Sequence, residues 1–91
     1  MTRWTVRLSS AAIKDLDRLP PRVAPAVVEF LFGPLADNPH RVGKPLRGEL
    51  SGLCSARRGD YRVLYETDGS ADAVIVHRIR HRANAYRPPG A

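Results

Sequence analysis

Cysteine is nearly absent from this chain, since Cys54 is the single one among 91 residues. One thiol cannot form an internal disulfide, and it excludes a zinc site built from several cysteines. Long apolar runs are also missing, because no stretch approaches the roughly 20 residues that a membrane-spanning helix needs. The opening residues, MTRWTVRLSS, lack the apolar core of a signal peptide. These absences favour a protein of the reducing cytoplasm with no membrane partner.

Acidic residues are scarce in the second half of the chain. Residues 41–91 hold ten Lys and Arg against five Asp and Glu, with no acid after Asp72, whereas residues 1–40 hold five against four. Such an asymmetry, in a chain of net charge +6, favours a polyanionic partner, of which nucleic acid is the usual one. The alternative is a solvated basic face that keeps a small protein soluble.

The N-terminal segment predicts a strand and a helix. Apolar and polar residues alternate from Trp4 to Leu8, which is the pattern of a half-buried strand. Ser9 or Ser10 can then cap a helix, and the pair Pro20-Pro21 ends it because proline has no N–H to donate. We expect Pro21 also to begin a second helix that is kinked near its end by Gly33-Pro34. Each helix carries one apolar stripe, so a sheet must cover both.

Three more strands are predicted in the second half, at 53–58, 61–67 and 73–80, with turns at Gly59-Asp60 and Asp68-Gly69-Ser70. The segment DNPHRVGKPLRGELSGL, which precedes them, has closely spaced Gly and Pro and is expected to be an irregular loop or a short extended arm. The predicted fold is therefore α+β in the order β-α-α-β-β-β. A helical hairpin packs on a mainly antiparallel four-stranded sheet, within one domain spanning 1–91.

Arginines dominate the candidate chemistry. The strand pleat fixes the position of Arg62 on a central strand. Strand pairing can bring Arg57, on the neighbouring strand, close to it, together with Arg80 and Arg82, which lie where the last strand ends. A guanidinium fork matches two phosphate oxygens at once, so a cluster of arginines favours a phosphate. For Arg57, Arg58 and Arg80, a plain solvent-facing role is the alternative.

Histidine and tyrosine add other possibilities. His81 lies among arginines and can exchange a proton near neutral pH. Tyr86 can stack on a splayed RNA base or, alternatively, anchor the C-terminus in the core. Three histidines at these separations, with no nearby pair of carboxylates, do not form a recognisable metal site, and no cofactor is predicted.

The phrases NPHRVGKPLRGELSGL, RRGDYRVLYE and HRIRHRANAYR, together with the order of elements, resemble the RelE branch of the RelE/ParE toxin superfamily. The resemblance extends from the opening WTVRLSSAAIKDLDRLP to Tyr86. It implies the toxin of a type II toxin-antitoxin pair, a metal-independent endoribonuclease that cleaves mRNA, in many members at the ribosomal A site. The implied partners are a cognate RelB-like antitoxin, mRNA, and operator DNA through the antitoxin alone.

The resemblance also implies roles for individual residues. The catalytic set would be Arg62, Arg82 and Tyr86, Arg57 matches a basic position on the preceding strand, and Lys44 of GKPL is typical of the family. His81 joins the catalytic candidates because of its place among arginines, not through the resemblance. The residues expected to bind RNA are Lys44, Arg47, Arg58 and Arg80.

One departure from the family pattern is visible. Many ribosome-dependent members carry an aromatic residue followed by a lysine or arginine where this chain has Cys54 and Ser55. Two alternatives to RNA cleavage therefore stay open. One is a ParE-like poison of DNA gyrase, and the other is a weakly active toxin that acts mainly as antitoxin partner and operon co-repressor.

Overall fold

The computed structural model describes residues 3–83. These residues form a five-stranded sheet with helices packed on one face, and the strand order across the sheet is β1-β5-β4-β3-β2. The elements in chain order are β1 (Thr5–Leu8), α1 (Ser10–Asp17), α2 (Ala24–Phe32), α3 (Pro34–Asp37), α4 (Pro39–Val42), β2 (Gly43–Pro45), a 3-10 turn (Gly48–Leu50), β3 (Cys54–Arg58), β4 (Tyr61–Asp68) and β5 (Ala73–His81). The predicted α+β class and the four predicted strands are confirmed.

The sheet has one strand more than predicted, so the count of four was wrong. The additional strand, β2, lies in the segment expected to be a loop or arm, and it pairs antiparallel with β3 from Gly43↔Ala56 to Pro45↔Cys54. Three residues that include a glycine and a proline show no alternation from which a strand could be predicted. At the edge of a sheet Pro45 is tolerated, because its missing N–H is not needed on the solvent side.

Helix α1 begins after a serine N-cap, as predicted from Ser9 and Ser10. Ser9 is the N-cap, and its hydroxyl accepts a hydrogen bond from the backbone N–H of Ala12 at 3.0 Å. The same hydroxyl donates to the carbonyl of His77 at 2.9 Å. One side chain therefore both starts the helix and ties it to β5.

Helix α2 differs from the prediction at both ends. Residues 21–23 form a turn and the helix begins at Ala24, with Pro25 in its first turn, so Pro21 is not the first helical residue. At the other end the helix stops at Phe32 instead of kinking. Gly33 has φ −114° and ψ −101°, outside helical values, and a Cβ there would lie 2.7 Å from the carbonyl oxygen of Glu29. Pro34 then begins α3, because its fixed φ suits a first helical position.

The core lies between the helices and one face of the sheet. Its buried members are Ala12, Val27, Phe30, Leu31, Leu35, Ala56, Val63, Tyr65, Val74, Val76 and Ile79. Tyr65 is fully buried, and its hydroxyl donates to the carbonyl of Pro39 at 2.5 Å, which satisfies the polar end of the ring. In the described part of the chain, no helix is long and apolar enough to cross a bilayer.

A β-bulge interrupts the pairing of β4 with β5. Leu64 pairs with Arg78 and Tyr65 pairs with Val76, so His77 is the extra residue. An extra residue reverses which face each later side chain occupies. Val76 and Ile79, three positions apart, consequently both face the core.

Candidate nucleic-acid interface

Three arginines lie directly opposite one another across three adjacent strands. Arg57 of β3 pairs with Arg62 of β4, which pairs with Arg80 of β5. Residues opposite one another in an antiparallel sheet project from the same face, with Cβ atoms about 4.5 to 5.5 Å apart. We call these three residues the arginine row. It lies on the face away from the core, because the neighbouring Ala56, Val63 and Ile79 are core residues.

The bulge at His77 is what completes the arginine row. Counting alternate residues from Val74 and Val76 would place Arg78 and Arg80 on the core face. The single inserted residue moves both arginines to the face of Arg62. The sequence analysis did not predict this bulge. The signal for it was that strict alternation would place the charged Arg78 and Arg80 on the same face as the apolar Val74 and Val76.

Arg62 has a donor that none of the described residues satisfies. Its Nη1 is buried and has no hydrogen-bond partner within the described residues. Three like charges in one row also repel each other, which destabilises the sheet locally. A buried, unpartnered guanidinium nitrogen beside further arginines is an arrangement that an anionic group would relieve.

Arg82 lies just beyond the end of β5, at the turn between β3 and β4. Its backbone N–H donates to the carbonyl of Asp60 at 2.7 Å, and its Nε lies 4.0 Å from Asp60 Oδ1. Both side chains are well exposed, so this pair holds Arg82 weakly. The guanidinium of Arg82 therefore lies near the sheet end, next to the arginine row but outside it.

A second row occupies the opposite face at the same end of the sheet. Arg58 pairs with Tyr61, and Tyr61 pairs with His81. The rings of Tyr61 and His81 meet edge to face, with centroids 5.4 Å apart. The structure thus separates Arg58 and His81 from the arginine row, with which the sequence analysis had grouped them.

The remaining predicted RNA-binding residues lie on or after β2. Lys44 is exposed and pairs with Ser55 of β3, which in turn pairs with Leu64. Lys44 therefore provides a cation directly opposite the position where the family pattern has one and this chain has Ser55. Arg47 is exposed just before the 3-10 turn. Tyr86 lies outside the described residues.

Asp15 is a site-supporting residue that sequence reasoning did not single out. Its carboxylate accepts hydrogen bonds from Arg78 Nε at 2.8 Å, from Arg78 Nη2 at 3.1 Å and from the backbone N–H of Ile79 at 2.9 Å. Burial raises the pKa of Asp15, but hydrogen bonds from Arg78 and Ile79 outweigh it and leave the pKa lowered. The sequence does carry a signal for Asp15. It is an acidic residue three positions after Ala12, on the helix face that is directed at the core.

Two other features bear on the chemistry. His77 Nε2 lies 2.8 Å from Glu66 Oε1, so the bulged residue is paired rather than directed at a ligand. Among residues 3–83, no group of three or more His, Cys, Asp or Glu lies close enough together to hold a metal ion.

Comparison with known proteins gives a consistent set of relatives. Residues 6–86 match the family described as the ParE toxin of the type II toxin-antitoxin system, parDE. The chain is 55% identical over 84 residues to Toxin RelG of Mycobacterium tuberculosis, covering 92% of this chain and 97% of the relative. It is 54% identical to Toxin RelE of the same organism, covering 92% of this chain and 87% of the relative.

A solved structure is similar throughout. The crystal structure of the toxin-antitoxin complex RelBE2 from Mycobacterium tuberculosis contains a chain that superposes with a TM-score of 0.86 at 54% identity. The match covers 91% of this chain and 95% of that one.

Proposed function

The chain belongs to the RelE branch of the RelE/ParE superfamily of type II toxin-antitoxin toxins, and from that premise we propose that it is an endoribonuclease that cleaves mRNA at the ribosomal A site. The observation that carries the proposal is the arginine row with the buried Nη1 of Arg62, which has no hydrogen-bond partner among residues 3–83. A planar donor fork held on a central strand suits a phosphodiester, whose two free oxygens it can bind together.

The proposed reaction needs no metal. The ribose 2′-oxygen forms a bond to the adjacent phosphorus as the bond from phosphorus to the 5′-oxygen breaks. The 2′-hydroxyl loses its proton to a base and the departing 5′-oxygen gains one, which leaves a 2′,3′-cyclic phosphate and a 5′-hydroxyl. Arg62 and Arg82 stabilise the charge that grows on the phosphorane oxygens, a role worth about 3 to 4 kcal/mol per well-placed donor.

Proton transfer is assigned to Tyr86 in this proposal. Of the two groups considered, His81 lies in the second row with its ring against Tyr61, on the face away from Arg62. A general base must come within hydrogen-bond reach of the proton that it takes, which disfavours His81. Arg57 and Arg80 hold the phosphate beside Arg62, and Lys44 and Arg47 contact the RNA further along.

A cognate antitoxin of the RelB type is the proposed protein partner. The similar solved structure is named as a complex of toxin and antitoxin. Ten basic residues against five acids in 41–91 suit an acidic antitoxin segment. Contact with operator DNA would then run through the antitoxin alone.

Expression without antitoxin tests the proposal. Incorporation of labelled amino acids should stop before DNA synthesis does. Primer extension should map cuts within the codons of mRNA, both in cells and in reactions with purified ribosomes. The matched variant Arg62→Ala should abolish both effects. If DNA synthesis stops first while messages stay intact, the chain is a gyrase poison, which the ParE description of the family favours. If growth continues with soluble, folded protein, the chain acts as antitoxin partner and co-repressor.

A further inference from the structure

A pocket of about 220 Å³ lies behind the arginine row, on the core side of the sheet end. It is bounded by the start of α2 and by the turn between β3 and β4. Its walls include Arg22, Val23, Val27, Arg58, Asp60 and Tyr61. Within residues 3–83, none of the sequence-predicted catalytic residues lines this pocket, so its charged and aromatic lining needs a separate explanation.

Two cations flank the pocket without ion-pair partners. The side chains of Arg22 and Arg58 are exposed, and neither forms an ion pair with another residue in the stretch 3–83. The acid on the wall, Asp60, lies nearest to Arg82 at 4.0 Å. The pocket therefore combines a net positive charge with guanidinium groups that are available to an anion.

The floor of the pocket is apolar and one wall is aromatic. Val27 is fully buried and Val23 is half-buried, so they offer aliphatic surface. The half-buried ring of Tyr61 is braced by the ring of His81. A flat aromatic ring attached to an anionic group fits such a lining, and a nucleotide has both parts in its base and its phosphate.

A second groove shares Arg58 with this pocket and Arg57 with the arginine row. Strand β2 pairs only with Cys54–Ala56, so among the described residues no strand lies beside the edge of β3 at Arg57 and Arg58. A groove of about 550 Å³, lined by Arg57, Arg58, Phe30 and Glu29, lies there. Because Arg57 belongs to the row and Arg58 lines both cavities, basic residues run continuously around the edge of β3 from one face to the other.

We propose that single-stranded RNA held at the arginine row continues around the edge of β3 and places a flanking nucleotide in the pocket between Arg22, Arg58 and Tyr61. This inference rests on the proposed function. A repeating polyanion suits two cavities that share Arg58, each with more basic than acidic lining residues, better than an isolated acidic side chain does. The alternative occupant, an acidic antitoxin peptide, is an outcome of the test.

Binding of an uncleavable RNA tests the inference. The probe is a fluorescent, 2′-O-methylated single-stranded 12-mer, measured by anisotropy over a range of salt concentrations. The double variant Arg22→Ala/Arg58→Ala should bind the 12-mer about tenfold more weakly, and the slope of log K against log salt should fall by about 1.4, or 0.7 per phosphate contact.

The matched control is Arg7→Ala/Arg18→Ala, which removes two exposed cations away from both cavities. Equal losses in the two double variants would mean that bulk charge, not the pocket, binds the RNA, and would overturn the proposal. Tyr61→Leu should weaken 12-mer binding while Tyr61→Phe keeps it, because only the stacking ring is required. Unchanged RNA binding with lost antitoxin binding in Arg22→Ala/Arg58→Ala would assign the pocket to the antitoxin instead.

The parent protein separates this proposal from the broader one. If the parent cuts mRNA and the double variant binds the 12-mer as tightly as the parent, the pocket proposal alone fails. If the parent neither cuts mRNA nor binds the 12-mer, both proposals fail.

Discussion

Asp15 and Arg78 form a two-pronged ion pair that closes the open edge of β5. Strand β1 pairs with β5 as far as Leu8↔Val76, and beyond that point no strand covers this edge within the described chain. The Asp15 carboxylate takes the place of a strand carbonyl by accepting from the Ile79 N–H, and it also binds both prongs of Arg78. The segment that carries Arg80 is therefore held on one side by β4 and on the other by α1.

Replacing Asp15 should destabilise the fold. In Asp15→Asn the charge of Arg78, which is largely buried, loses its partner, and breaking such a pair costs about 3 kcal/mol. Because the folded pKa of Asp15 is lowered, its contribution is present above the unfolded pKa and disappears as pH falls through the folded pKa. Urea unfolding should show a constant difference in the free energy of unfolding between variant and parent near neutral pH. That difference should disappear in strong acid. The exposed Asp17→Asn is the control, and a gap of the same size for both variants would contradict the assignment.

Arginine substitutions test the catalytic assignment. Arg62→Ala and Arg82→Ala should each lower the cleavage rate at least about a hundredfold, because each removes a cation from the phosphorane site. Rates on ribosome-bound mRNA give the measurement, and Arg7→Ala on β1 is the control. Folded Arg62→Ala and Arg82→Ala proteins that cut as fast as the parent would show that the site lies elsewhere.

Tyr86→Phe separates proton transfer from stacking. The substitution keeps the ring and deletes only the hydroxyl. A loss in rate of a hundredfold or more is expected if the hydroxyl moves the proton. A change of less than about threefold on the same mRNA substrate would leave Tyr86 as a stacking ring and return attention to His81.

The buried Tyr65 should make the fold sensitive to alkali. Burial, with a smaller effect of the neighbouring Cys54, raises the pKa of Tyr65 to about 12. Because the pKa of Tyr65 is higher in the folded state, the neutral Tyr65 hydroxyl stabilises the fold fully below the unfolded pKa of about 10. This stabilisation is lost as pH rises towards 12. The free energy of unfolding should fall by about 2 to 3 kcal/mol over that interval. Tyr65→Phe should lack this component of the fall, and an equally steep fall in the variant would assign it to other groups.

Gly43 and Tyr65 should behave as a coupled pair. A Cβ at residue 43 would clash with the hydroxyl oxygen of Tyr65 and lie 2.9 Å from the Ser55 carbonyl oxygen. Gly43→Ala alone should therefore lower the free energy of unfolding by about 1 to 3 kcal/mol, as in other overpacked cores. Adding Tyr65→Phe removes the closest atom and should restore part of the loss in thermal unfolding. Strictly additive effects of the two substitutions would contradict direct contact.

Local patterns were sufficient to predict much of the fold. Alternation from Trp4 to Leu8, the serine cap of α1 and the turn at Gly59-Asp60 are short-range features, and the structure has all three. The family was likewise recognisable from contiguous phrases such as RRGDYRVLYE.

What the sequence could not show depends on contacts between distant residues. The bulge at His77 depends on the register between β4 and β5, which decides whether Arg78 and Arg80 lie on the core face of the sheet or on the opposite face. Strand β2 is three residues long and exists through its pairing with β3. The ion pair of Asp15 with Arg78 joins residues 63 positions apart, beyond the reach of any local pattern.

The position of β1 determines when the molecule can be completed. Its strand neighbour is β5, in the register Thr5↔Ala73. Strand β1 is therefore synthesised well before the strand with which it pairs. Such long-range pairing forms late in folding, because most of the chain must be ordered or looped out first. On the ribosome that makes it, the nascent chain cannot close its sheet until β5 has emerged. The arginine row, which needs Arg80, is therefore assembled only after β5 has been synthesised and has left the ribosome.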